Sequence, residues 1–97
     1  MKRFYLYILT DKKDGELYIG STNNLTERVV EHRSDIISGY TKNTGIKTLV
    51  YYEEHKSLAD AIKREKQIKK WKREWKINLI EKSNPQWKDL YDISSMG

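Results

Sequence analysis

The sequence predicts an α+β domain: a three-stranded antiparallel sheet flanked by helices, in the order ββ-α-β-α-α. Three features carry that expectation. Two runs rich in aromatic and β-branched residues, Phe4 to Thr10 and Glu16 to Gly20, flank the polar step DKKDG at 11 to 15, whose Asp-Gly pair is a hairpin signal. Two later stretches repeat apolar residues at helical spacing behind residues that cap helix N-termini. Between them lies IKTLVYYEE, Ile46 to Glu54, with apolar residues on both alternating faces, as in a strand covered on both sides.

Each element can be argued in order. A hairpin symmetric about Lys12 and Lys13 places Tyr7 directly opposite Tyr18 on one sheet face, and a bulge at Asp14-Gly15 would shift that register. STNN at 21 to 24 is a run of capping residues, and Asn24 with Glu27 resembles a capping box. The helix behind it is expected from about Leu25 to Ile37, burying Leu25, Val29 and Ile36. Arg28 and His32, four residues apart, project from one face beside that stripe. GYTKNTG, residues 39–45, is a polar loop. Ser57 with Asp60 opens a second helix reaching roughly Trp71, and a third covers Glu74 to Lys82. SNPQW at 83–87 ends it, because proline disfavours helix in the residue before it. Residues 1–91 form one domain, and DISSMG at 92–97 is expected to fray.

Length and composition narrow the classes. A chain of 97 residues has room for one modest core. No run of eighteen apolar residues exists, which argues against a helical membrane span. MKRFYLYILT has the basic start of a signal peptide but no small-residue cleavage site, and Asp11, Lys12 and Lys13 interrupt it, so it reads as a strand. With no cysteine, disulfides and thiolate metal sites are excluded, in agreement with a cytoplasmic protein. Net charge is +5 and the isoelectric point about 9.4, with the excess concentrated between Lys63 and Lys82 around Trp71 and Trp75. Interleaved cations and indoles suit a nucleic acid, and a solvated helix face with core tryptophans accounts for the composition equally well. The expected phosphate contacts are Lys42, Lys63, Lys66, Lys69, Lys70, Lys72 and Arg73.

Glu65 poses the sharpest question. At 100° per residue it falls inside the arc of Leu58, Ala61 and Ile68, with Ile62 at the edge, so a carboxylate faces the core side of its helix. Such a group is costly unless it is paired, protonated or bound to a metal.

The stretch LYIGSTNNLTERVVEH supplies an answer by resemblance. YIG stands at Tyr18, Ile19 and Gly20, and YLYIL places Tyr7 where a partner motif has its tyrosine, with Tyr5 where that motif has glycine. Eleven residues separate the two tyrosines and ten more lead to Arg28. With YTKNTGIKTLVYYE, the Glu65 helix and NPQWKDL, this ordered set resembles the GIY-YIG nuclease superfamily, especially its small stand-alone members, over nearly the whole chain. The resemblance implies an endonuclease scaffold acting on DNA, in a family that includes excision-repair, homing and restriction enzymes, with RNA still open as a substrate. It assigns active-site positions to Tyr7, Tyr18, Arg28, His32, Glu65 and Asn84, the last in competition with Asn78. Ser21 replaces a lysine of the repair branch, so no lysine role is carried over to that position.

Phosphodiester hydrolysis needs an activated water, stabilised phosphoryl charge and help for the leaving oxyanion. Glu65 is a hard oxygen ligand suited to a single Mg2+ or Mn2+, and no second candidate carboxylate emerges. Arg28 can grip phosphate oxygens, and His32 titrates near neutrality. Tyr18 is the candidate to orient or deprotonate the water. Free tyrosine titrates near 10, about three pH units above neutrality, which is roughly 4 kcal/mol to overcome. Arg28, the metal, or a relay through Tyr7 and His32 can supply part of that, and a metal-bound hydroxide positioned by Tyr18 is the alternative. Asn84 either contacts substrate or braces the cleft.

Each residue also has a plainer role: tyrosines pack in strands, Arg28 pairs with Glu31 or Asp35, Glu65 bends outward to Lys69, and Trp71, Trp75 and Trp87 are core or inter-helix packing. The competing functions are a nucleic-acid-binding module with little or no turnover and, more weakly, a protein-interaction adaptor.

Overall fold

The computed structural model describes residues 3–33 and 45–91. Six elements follow the expected order: β1 Phe4–Thr10, β2 Leu17–Thr22, α1 Leu25–Arg33, β3 Thr48–His55, α2 Leu58–Lys69 and α3 Arg73–Ser83. The strands form one antiparallel sheet in the order β2-β1-β3. The end of the expected first helix, with Ile36, lies outside the described residues, as do Lys42, most of the polar loop and the tail 92–97.

β1 is central, and its residues Leu6 to Thr10 are buried. Its alternation divides the core. Leu6 and Ile8 join Ile19, Val50, Ile68, Ile80 and Trp87 on the face covered by α2 and α3. Tyr7 and Leu9 join Leu25, Val29, Ile46 and Leu49 on the face covered by α1.

The hairpin differs from the symmetric expectation. Tyr7 pairs with Gly20, and Tyr18 pairs with Leu9. The connection runs through residues 11–16 and is longer than a two-residue turn. Asp14 adopts φ 59°, Gly15 N–H donates to the Lys12 carbonyl at 2.9 Å, and Asp11 Oδ1 accepts from Glu16 N at 2.8 Å. These bonds fix the longer loop and move the pairing by two residues. Tyr7 and Tyr18 stay on the same face, now as diagonal neighbours.

The caps form as the sequence implies. Asn24 Oδ1 accepts from Glu27 N at 3.1 Å at the start of α1, and Ser57 Oγ accepts from Asp60 N at 3.1 Å at the start of α2. Two apolar expectations fail. Leu58, the first residue of α2, is 43% exposed because it precedes the turn that meets the sheet. Trp87 is buried, but Trp75 is 52% exposed and touches Trp71 edge-on, with ring centroids 6.3 Å apart.

The outer edge of β3 is closed by the segment after α3. A register shift between Ile8 and Leu9 leaves Val50 as an extra residue on β3. Its carbonyl accepts from Asn84 Nδ2 at 3.0 Å, and Leu90 N donates to the Leu49 carbonyl at 2.7 Å. These bonds satisfy the edge of β3 at Leu49 and Val50, where a foreign strand would otherwise pair.

Ile68 is fully buried between α2 and the sheet. Replacing it by alanine is expected to cost about 2–5 kcal/mol, whereas Leu58→Ala should stay within about 0.5 kcal/mol. Urea unfolding of both variants checks this, and equal costs would contradict the placement of α2.

Candidate active site at the edge of the sheet

The site gathers where β2 meets α1 on one face and α2 on the other. On the α1 face, strand alternation places Tyr7 and Tyr18 side by side with ring centroids 6.3 Å apart. A Cβ at Gly20, which pairs with Tyr7, would lie 2.6 Å from the Tyr7 hydroxyl oxygen. Glycine therefore leaves the room that this phenol occupies. α1 buries Leu25 and Val29 on the sheet, and the same stripe brings His32 over the two rings, 5.0 Å from Tyr18 and 6.2 Å from Tyr7 between centroids. Arg28, one turn earlier, has a buried Nε with no hydrogen-bond partner among the described residues; its nearest recorded carboxylate oxygen belongs to Glu31, at 3.7 Å. The expected pairing with Glu31 is thus present but long.

On the α2 face, alternation turns Ser21 away from Tyr18 and Gly20. Its hydroxyl donates to Glu65 Oε1 at 2.7 Å, and Lys69 Nζ donates to Oε2 at 2.6 Å. The Glu65 side chain is only 19% exposed, so it neither points freely into solvent nor lies unpaired in the core. α2 is fixed at this height by Arg64, whose Nε donates to Glu53 Oε1 on β3 at 2.8 Å and whose guanidinium lies 5.2 Å from the Trp71 ring centre. Burial pushes the Glu53 carboxyl up, but hydrogen bonds from Tyr51, His55 and Arg64 outweigh it and hold the group below its ordinary value. Tyr51 is pushed up to about 12 by burial and by the bonded Glu53 carboxylate.

The electrostatics tie the two faces together. Burial raises the Tyr7 phenol far above its ordinary value; Tyr18 and the Glu65 charge raise it further, while Arg28 opposes them. The charges of Glu65 and Arg28 are therefore both felt at one phenol. Burial lowers the His32 imidazole below 6.5, the Arg28 guanidinium lowers it further, and Glu31 partly offsets them. Tyr7, Tyr18 and His32 lie together on the α1 face with Arg28 one helical turn from His32, while Glu65 is bonded to Ser21 on the other face of β2.

Asn84 is engaged by backbone at the β3 side. It caps α3 against β3, which is separated from β2 by β1. Its Nδ2 donates to the carbonyls of Val50 and Lys88, at 3.0 and 2.9 Å, and its Oδ1 accepts from Lys88 N at 3.0 Å. With its amide engaged by backbone, it braces the end of the fold. The competing Asn78 lies on an exposed position of α3.

Lys63, Lys66, Lys70 and Lys72 are exposed. Lys69 is engaged by Glu65, and Arg73 donates to the carbonyls of Asp14 and Gly15, each at 2.6 Å, so it clamps the hairpin loop.

No cluster of three or more His, Cys, Asp or Glu residues able to hold a metal occurs among the described residues. One carboxylate beside a hydroxyl does fit a hard cation that keeps waters and takes further oxygens from a substrate, as Mg2+ commonly does. Sequence reasoning left out Ser21 and the spatial reason for Gly20. The alternation from Ile19 was a usable signal for Ser21, because it places that residue on the α2 face.

Comparison with known proteins finds relatives over most of the chain. The family model described as the GIY-YIG catalytic domain matches residues 3–78. A UPF0213 protein of Staphylococcus haemolyticus is 37% identical over 81 residues, covering 84% of this chain and 98% of the relative. One from Syntrophus aciditrophicus is 42% identical over 87 residues, covering 89% and 98%. The solution NMR structure of a UPF0213 protein from Bacillus halodurans superimposes with a TM-score of 0.56 at 28% identity, covering 95% of this chain and 97% of that one.

Two outcomes are expected from the placements of His32 and Asn84. With its folded pKa below 6.5, His32 is neutral in the fold while the unfolded chain takes up a proton, so this component of stability falls as pH drops below about 6.5. Thermal melts between pH 7 and pH 5 should show a shallower loss for His32→Gln than for wild type. Asn84→Ala leaves buried backbone groups unpaired and is expected to cost roughly 1–3 kcal/mol; an unchanged melting temperature would contradict the bracing role.

Proposed function

Because the chain belongs to the GIY-YIG catalytic domain family, a nuclease superfamily whose members act on DNA, we propose that it is a metal-dependent endonuclease hydrolysing phosphodiester bonds in DNA. The observation that supports the reading is the gathering of two phenols and an imidazole, with Arg28 one helical turn away, on one face of β2, and a carboxylate bonded to Ser21 of that strand on the other. Repair or recombination is the setting that suits such an activity. No helix among the described residues is long and apolar enough to cross a membrane.

In this mechanism a water attacks phosphorus and the P–O bond to the leaving nucleoside oxygen breaks. Arg28, with its unsatisfied Nε, binds the non-bridging oxygens and remains charged at any working pH. Tyr7 keeps its proton, so it serves as a hydrogen-bond donor within the phenol pair and not as a base. Tyr18 orients the water, and neutral His32, whose ring lies tilted 5.0 Å from that of Tyr18, is the group able to receive the proton. A divalent cation, Mg2+ or Mn2+, held by Glu65 would supply positive charge to the phosphoryl and leaving oxygens. The exposed Lys63, Lys66, Lys70 and Lys72 hold the flanking backbone.

One observation favours a second reading. The Lys69 ammonium already neutralises Glu65, which suits a nucleic-acid-binding module needing no cation. Incubation of supercoiled, single-stranded and branched DNA with Mg2+ or Mn2+, against EDTA, separates the two. Cation-dependent cleavage is expected, reduced about 100-fold or more by Arg28→Ala or Glu65→Gln. Salt-dependent affinity without cleavage would select the binding module, and equal cleavage by Glu65→Gln would sink the mechanism.

A further inference from the structure

We propose that Ser21 is a positioning residue for Glu65, fixing the carboxylate so that one of its oxygens is presented to a divalent cation. The inference rests on the cation role proposed above for Glu65. A glutamate on a helix has three side-chain torsions to settle, and the residue that settles them here comes from another element, 44 positions away in the chain. Ser21 Oγ–H donates to Oε1 at 2.7 Å, a charge-assisted bond from a hydroxyl anchored in a strand.

The other oxygen is held differently. Oε2 carries the Lys69 ammonium, whose side chain is 52% exposed. A long exposed side chain with four torsions swings readily into solvent, whereas the Ser21 hydroxyl, one torsion from a paired strand, has little reach. A cation arriving at Oε2 therefore takes the place of the ammonium charge while the Ser21 bond stays intact. With Oε1 held by Ser21, Oε2 is the oxygen turned to the cation, which suits a small ion that retains several waters. Hydrogen bonds that orient a metal ligand in this way typically change metal affinity 10- to 100-fold when lost. Gly20 and Ser21 then have opposite duties in adjacent positions: the first leaves room for a phenol on one face, and the second steers a carboxylate on the other.

Titration of the purified full chain with Mn2+, read by the EPR signal of the free ion without DNA, tests this directly. Ser21→Thr and Ser21→Val are the informative pair, because both are β-branched, suit a strand and differ in the hydroxyl alone. Ser21→Val is expected to bind Mn2+ 10- to 100-fold more weakly than Ser21→Thr, with Ser21→Thr close to wild type and all three melting alike. If the two variants bind alike while Glu65→Gln loses binding, the positioning role is overturned and the cation reading stands. If Glu65→Gln binds as wild type does, or wild type binds none, the cation reading falls and this proposal with it.

Discussion

A methyl group at position 20 would sit 2.6 Å from the Tyr7 hydroxyl oxygen, so the pairing of Tyr7 with Gly20 is the constraint on which the site depends. The pairing is set by the six-residue connection at 11–16, whose hydrogen bonds hold Asp14 in the left-handed region. A register shifted by two residues would put the Tyr18 side chain where the glycine now stands. One shifted by a single residue would send Tyr18 to the α2 face, away from Tyr7. A turn far from the chemistry thereby decides which side chains can meet.

Burial does the rest on the α1 face. Covering Tyr7 makes its phenolate costly, and covering His32 makes its imidazolium costly, so a neutral donor and a neutral acceptor lie together beside a permanent cation, Arg28. Two groups are thus held in the protonation states that the proposed hydrolysis at neutral pH calls for. Glu65 lies on the opposite face, anchored by Ser21 of the same strand that carries Tyr18, and its charge adds to the burial that raises the Tyr7 phenol.

Both flanks of the sheet are secured by side-chain pairs that carry no chemistry. Glu53 gathers Tyr51, His55 and Arg64 and so ties α2 to β3. Asp89 pairs with Arg33 of α1 and accepts from Leu49 N at 3.3 Å, while the Arg33 guanidinium lies 4.5 Å from the Tyr91 ring centre. A domain of this length has a small core, and these ties hold the helices that carry Glu65 and His32 at a defined distance from the strands.

The sequence by itself determined the element order, the caps at Asn24 and Ser57, and the membership of Tyr7, Tyr18, Arg28, His32 and Glu65 in one pattern. Alternation, helical period and capping are local, and they are written in neighbouring residues. Only the tertiary structure decided the hairpin register, the exposure of Leu58 and Trp75, the engagement of Asn84 with backbone, and the Ser21 partner of Glu65, whereas its Lys69 partner was legible four residues along the helix. Those outcomes depend on which surfaces meet across the fold. A carboxylate on an apolar arc announces that it needs a partner, but Ser21 becomes that partner only once a strand 44 residues away is laid beside the helix.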